Sequence, residues 1–182
     1  MDKKTIWDLD RDSVEVFRSK PKIPLTIVLD NVRSLNNIGS VFRTSDAFLV
    51  ERIMLCGITA CPPSPEIHKT ALGAEDSVRW EYFDTTEACL DSLHLEDYTI
   101  CALEQVKGSV PLQEFKVDKG KKYALIAGHE VHGVSQNAVD AADVCIEIPQ
   151  HGTKHSLNVS VSVALGIWHF FNTLYLKDFP VD

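Results

Sequence analysis

Residues 149–171 read PQHGTKHSLNVSVSVALGIWHFF. Pro149 and Gly152 end a strand and form a turn. From Leu157 to about Leu174 the chain is helix-length, and Val159, Val161, Val163, Leu165, Ile167 and Trp168 fall on every side of that helix. A helix that is apolar all round is buried all round. One face packs on a sheet, and the other needs a second cover. A second copy of the chain is the simplest cover, so the stretch predicts a homodimer. Yet its front end carries Lys154, His151, His155, Ser156, Asn158 and Ser160. Ser156 sits at the helix mouth and is read as its cap. Capping leaves Asn158 and Ser160 unexplained, and these point toward a ligand.

Upstream, apolar runs alternate with helical patterns. Strands are expected at Leu25–Val32, Arg52–Cys56, Val78–Phe83, Tyr98–Leu103, Lys122–Ala127 and Val144–Ile148. Helices are expected at Asn37–Val50, near Glu66–Leu72, from Thr85 to His94 and from about Ser135. Strand and helix in alternation predict an α/β fold, a mostly parallel sheet with helices on both faces. Ligands of such sheets bind at the carboxyl ends of the strands. The polar clusters lie there, in Asn31–Gly39, Glu104–Gly108, Gly128–Gly133 and Pro149–Asn158.

The 182 residues suit one domain over 23–176, with a charged helical segment over 1–22 and a short tail over 177–182. At 45 % hydrophobic and 24 % charged, composition is that of a globular chain, and no apolar run reads as a membrane span. The start, MDKKTIWDLDRDSVEVFRSK, lacks the apolar centre of a signal peptide. Five cysteines without a C-x-x-C pair, three of them (Cys56, Cys101, Cys145) in apolar runs, read as reduced core residues of a cytoplasmic protein. The net charge of −8 argues against nucleic acid, but its distribution does not: residues 75–104 hold nine acids and one base, whereas residues 1–43 hold eight bases and six acids.

Three clusters carry chemistry. In Asn36-Asn37-Ile-Gly39-Ser-Val-Phe-Arg43, either asparagine is a natural helix cap, and Gly39 and Arg43 share a face four residues apart. A bare first turn beside a guanidinium fork is a phosphate site. In Gly128-His129-Glu130-Val131-His132-Gly133, two glycines flank a carboxylate directly after a strand, where backbone can approach a ligand closely. The histidines, with His151 and His155, raise a metal-dependent hydrolase as an alternative. The spacing His129-Glu-Val-His132 is one residue short of H-E-x-x-H, so no metal is assigned. The third cluster is the stretch quoted first.

Taken in this order, Asn37-x-Gly39-x-x-x-Arg43, Gly128-x-Glu130-x-x-Gly133 and Ile148-Pro149-x-x-Gly152-x-x-x-Ser156-Leu157-Asn158-Val159-Ser160 resemble the SpoU-type (TrmH-like) RNA ribose 2′-O-methyltransferases of the SPOUT superfamily. The resemblance runs from about Leu25 to Phe171. It implies a deep trefoil knot in the C-terminal part of the sheet, which periodicity would never suggest. It implies S-adenosyl-L-methionine bound by Leu103, Glu104, Gly128, Gly133, Ile148, Pro149, Gly152 and Leu157. It assigns catalysis to Arg43, which meets the RNA phosphate and helps activate the 2′-hydroxyl, with Asn37, Glu130, Ser156 and Asn158 holding the arginine, the ribose and the loop. The implied partners are RNA, tRNA before rRNA, and a second copy of the chain, with no membrane. Lys3, Lys4, Arg11, Arg18, Lys20, Lys22 and Arg33 are left to grasp the RNA. A non-catalytic binding relative is the other alternative, and the full set of motif residues argues against it.

Overall fold

The computed structural model describes Lys3 and residues 12–176. Most of the expected N-terminal segment before residue 12, and the tail 177–182, lie outside the described residues. Seven strands form one sheet: β1 (Ile23–Asp30), β2 (Val50–Cys56), β3 (Arg79–Phe83), β4 (Tyr98–Leu103), β5 (Val110–Pro111), β6 (Lys122–Ala127) and β7 (Val144–Glu147). Their order is β3-β2-β1-β6-β4-β7-β5, and every neighbouring pair is parallel. The helices are α1 (Val14–Ser19), α2 (Leu35–Ala47), α3 (Pro65–Ala71), α4 (Ala74–Ser77), α5 (Thr86–Leu95), α6 (Gln136–Asp140) and α7 (Val159–Phe171), the last running into a π-helical turn at Asn172–Leu176.

The alternating pattern thus makes the parallel α/β sheet expected of it. Successive residues of β1 feed opposite layers. Leu25, Ile27 and Leu29 join Ile38, Phe42, Val163 and Phe170 beneath α2 and α7. Val28 joins Met54, Leu90, Leu93 and Ala138 beneath α5 and α6. A strand buried on both faces has no polar alternation to show, which is why β1 reads as one apolar run. It stops at Asp30, two residues short of the expected end, because Asn31 turns the backbone to φ 57°. The two-residue β5 carries no readable period.

Cys56 and Cys101 are core residues as expected, and burial pushes the Cys101 thiol up to about 12. Cys145 is only half-buried, near the sheet's β5 edge. The run Val159–Leu176 has 18 residues of mean hydropathy 1.4, enough by length and composition alone to cross a membrane. Its inner face is nevertheless core: Val163, Ile167 and Phe170 are fully buried. Gly166 lets α7 lie close to the sheet, since a Cβ there would stand 2.6 Å from Leu125 Cδ2. The outer face is only partly covered within one chain, the face for which the sequence reading expects a second cover. In the single chain Val161, Leu165 and Trp168 are 48 %, 41 % and 48 % exposed.

Gly39 has a different task from the one its sequence context suggests. It is buried where α2 meets α3, not open to a phosphate. A Cβ there would lie 2.1 Å from Thr70 Oγ1 and 2.3 Å from the Ile67 carbonyl oxygen. Gly39→Ala should therefore cost about 2 kcal/mol of stability in urea denaturation. Thr70→Ala should recover only part of the loss, because the Ile67 carbonyl stays in place.

Candidate functional site

Parallel strands put all their carboxyl ends at one edge of the sheet. There the loops after β4, β6 and β7 surround a cavity of about 640 Å³. Leu103, Glu104 and Gln105 come from the first loop, Ala127–Gly133 from the second, and Ile148, Gln150 and His155–Val159 from the third.

The carboxylate of Glu130 joins these loops to the one after β1. Its Oε2 accepts from the Arg33 amide at 3.1 Å, and its Oε1 from the Ser34 amide at 2.8 Å and Asn37 Nδ2 at 3.0 Å. Asn37 Oδ1 in turn accepts from Asn158 Nδ2 at 3.1 Å. Asn158 Oδ1 accepts from the Ser160 amide at 2.9 Å and the Ser160 hydroxyl at 2.6 Å. Donor and acceptor therefore alternate without a break from the start of α7 to the start of α2. Burial pushes the Glu130 carboxyl up, but hydrogen bonds from its own amide, those of Ser34 and Arg33, and Asn37 outweigh it and hold the pKa below 4.5.

Two further carboxylates brace the loops. Asp30, buried at the end of β1, accepts from Thr86 Oγ1 at 2.6 Å, Asn31 Nδ2 at 2.8 Å and the Ser135 amide at 2.7 Å. Glu104 accepts from the amides of Val134 at 2.9 Å and Gln105 at 2.8 Å. The glycines of the β6 loop also serve this bracing. Gly133 has φ 68°, and a Cβ on it would be 2.1 Å from Glu104 Oε2; one on Gly128 would be 2.1 Å from the Gly133 oxygen.

Of the residues expected around a cofactor, Leu103, Glu104, Gly128, Gly133, Ile148 and Leu157 line the cavity, whereas Pro149 and Gly152 do not. Of the expected catalytic set, Glu130, Ser156 and Asn158 line it, and Asn37 is tied to two of them. Arg43 is exposed and borders a different cavity, of about 1080 Å³, with Lys22, Asp46 and Tyr175.

The caps differ from the sequence reading. Ser34, not Asn36 or Asn37, caps α2, and Asn158, not Ser156, caps α7. The two asparagine side chains at issue are thereby fixed by each other. Glu130 is itself an anion at the start of α2, where it takes the amides of Arg33 and Ser34. Asp46 pairs with the Ser77 hydroxyl, not with Arg43. Sequence reasoning passes over Asp30, although a lone acid ending an apolar strand is a signal that a loop needs an acceptor. It also passes over Ser34, three residues before Asn37, where a capping oxygen belongs. Among the described residues no group of three or more His, Cys, Asp or Glu is placed to hold a metal ion.

Comparison with known proteins follows the same lines. The SpoU rRNA Methylase family matches residues 24–168. A mouse protein, tRNA (guanosine(18)-2′-O)-methyltransferase TARBP1, is 29 % identical over 80 % of this chain and 9 % of its own length. The chain spans less than two thirds of the first curated relatives it matches. The TrmH/SpoU tRNA modifying enzyme of A. aeolicus is 28 % identical with a TM-score of 0.78, over 91 % of this chain and 82 % of that one. An AdoMet-bound rRNA methyltransferase from Sinorhizobium meliloti shares the fold at 24 % identity and a TM-score of 0.77, over 88 % of this chain and 60 % of that one.

Glu130 sets a pH dependence. Its folded pKa lies below its unfolded one, so between the two the unfolded chain binds more protons and stability rises with pH. The contribution is complete above about pH 4.5 and disappears as pH falls through the folded value. Urea midpoints of the wild type should therefore fall more steeply below pH 5 than those of Glu130→Gln. Equal slopes would mean that the carboxylate does not hold these loops together.

Proposed function

Because the chain belongs to the SpoU rRNA Methylase family, we propose that it transfers a methyl group from S-adenosyl-L-methionine to a ribose 2′-hydroxyl of RNA. The observation that carries this reading is the unbroken hydrogen-bond run Asn158–Asn37–Glu130 at the rim of a cavity walled by three post-strand loops. A cavity of about 640 Å³ falls within the range of cofactor sites, and its lining suits the group. Leu103, Ile148 and Leu157 would hold a flat apolar ring, and loop backbone would take its polar edges. The cofactor supplies an electrophilic methyl on a sulfonium.

The chain's own residues supply position. A 2′-hydroxyl is a poor nucleophile, so orienting it contributes much of the rate. Ser156 and Asn158 border the cavity where a ribose would enter, and Glu130 keeps Asn37 and Asn158 from turning. Arg43 would meet the RNA phosphate and stabilise the developing alkoxide. A guanidinium rarely gives up its proton, so electrostatic orientation is its assigned role.

Arg43 borders a separate cavity in the single chain, which fits an active centre completed by a second copy. The stripe Val161, Leu165 and Trp168 on α7 supports that homodimer, since its apolar side chains stay about half exposed in one chain. The insertion of β7 between the consecutive strands β4 and β5 supports a knotted C-terminal part. The tRNA preference rests on the names of the mouse and A. aeolicus relatives, and the S. meliloti neighbour is the rRNA counterweight. Five free thiols suit the reducing cytoplasm.

The test supplies labelled S-adenosyl-L-methionine with total tRNA and rRNA separately. Label resistant to alkaline cleavage should appear in tRNA, and Arg43→Ala should abolish it while cofactor affinity stays near normal. Turnover by that variant would remove Arg43 from the mechanism. In sedimentation at micromolar concentration the wild type should run as a dimer and Leu165→Glu as a monomer. A monomeric wild type would end the dimer reading.

A further inference from the structure

The two histidines that sequence analysis weighs as metal ligands have another arrangement in space. Paired backbone hydrogen bonds between His129 and Gly133, of 2.9 and 2.8 Å, close the loop after β6 into a tight tip. Glu130 ties that tip to the start of α2. The Val131 amide donates to His129 Nδ1 at 3.0 Å, which fixes the ring and occupies one of its nitrogens. The His132 ring lies against it, with centroids 4.8 Å apart and planes at 34°. His132 is exposed and Val131 is 72 % exposed, while both histidines border the cavity. Nothing in the core explains an apolar tip and two paired imidazoles, one of them exposed to water. Their order precedes any ligand, so a flat partner would bind without the entropy cost of arranging them.

We propose that the tilted His129–His132 ring pair is a platform that receives the unpaired nucleobase of the RNA nucleotide being modified. The inference rests on the reading of RNA as substrate. RNA bases splayed from single strands stack on aromatic side chains, histidine among them. Such stacking tolerates any base, because every base has a π face. The cofactor's adenine is the other flat ring at hand. The apolar walls Leu103, Ile148 and Leu157 suit that ring, whereas the two imidazoles flank Glu130, which holds Asn37, with His129 half-buried and His132 exposed. His132 is the more exposed ring of the pair and so the one a base would meet.

The probe is a single-stranded RNA hexamer carrying one 2-aminopurine, whose fluorescence falls when the base stacks. Full-length protein is titrated as wild type, His132→Ala and His132→Phe, each at several salt concentrations, with S-adenosyl-L-methionine affinity measured in parallel. His132→Ala should bind the hexamer about tenfold more weakly, within the range that one base–aromatic contact contributes. His132→Phe should stay within about twofold of wild type. The slope of log Kd against log salt should be the same in all three, since no phosphate contact is removed. Unchanged affinity in His132→Ala, failure of phenylalanine to rescue, or a changed salt slope would each overturn the proposal. A loss confined to S-adenosyl-L-methionine binding would overturn it too, by assigning the rings to the cofactor's adenine. The readout is stacking, not turnover. Quenching that depends on residue 132 without methyl transfer to any RNA would sink the methyltransferase reading and leave the platform standing.

Discussion

A single carboxylate at the start of α2 organises the functional edge of this chain. Glu130 leaves the loop after β6, crosses to the loop after β1, and takes the amides of Ser34, the cap of α2, and of Arg33 just before it. The bond is stronger than its neutral equivalent because the acceptor is charged and the helix end is positive. Everything polar nearby inherits direction from it. Asn37 can only donate to the carboxylate, so its oxygen faces Asn158. Asn158 must then donate with its nitrogen and cap α7 with its oxygen. Two carboxamides that could each flip freely in water have one orientation here.

The sheet makes this possible by bringing distant residues to one edge. Glu130 and Ser34 are 96 residues apart in sequence, and Asn37 and Asn158 are 121 apart. Parallel β1, β6, β4 and β7 end side by side, so four loops meet above the core. Asp30 applies the same device as Glu130, a carboxylate accepting loop amides, again between β1 and the loop after β6, and Glu104 applies it between the loops after β4 and β6. The loop after β7 is fastened by neutral amides instead, Asn158 to Asn37 and Gln105 to the His155 carbonyl.

Two exposed features remain once the core and these fastenings are accounted for. The outer stripe of α7 is apolar and about half exposed in one chain, and Arg43 borders a cavity other than the one between the loops after β4, β6 and β7. Both follow if a second copy completes the site. The imidazole pair at the tip of the β6 loop belongs to neither core nor fastening. Its half-buried His129 and exposed His132 suit a partner that is itself flat.

The sequence by itself determined the layering. The apolar runs of β1, β2, β4 and β6, and the period of α2, α5 and α7, record burial, and burial follows from side-chain chemistry that every position states locally. It also pointed to part of the cavity lining, because Glu130, Ser156, Asn158 and the Gly128–Gly133 loop follow strands whose carboxyl ends must share an edge, while Arg43, Pro149 and Gly152 lie outside it. Tertiary structure alone decided what those residues do there. Ser34 and Asn158 became the caps in place of Asn37 and Ser156 because a cap needs a particular backbone angle and a neighbour to fix it, and neither is written in residue type. Gly39 became a helix-packing residue because α3 crosses just there. The outer face of α7 stayed open because an all-round apolar helix says how much surface must be covered, not which chain covers it.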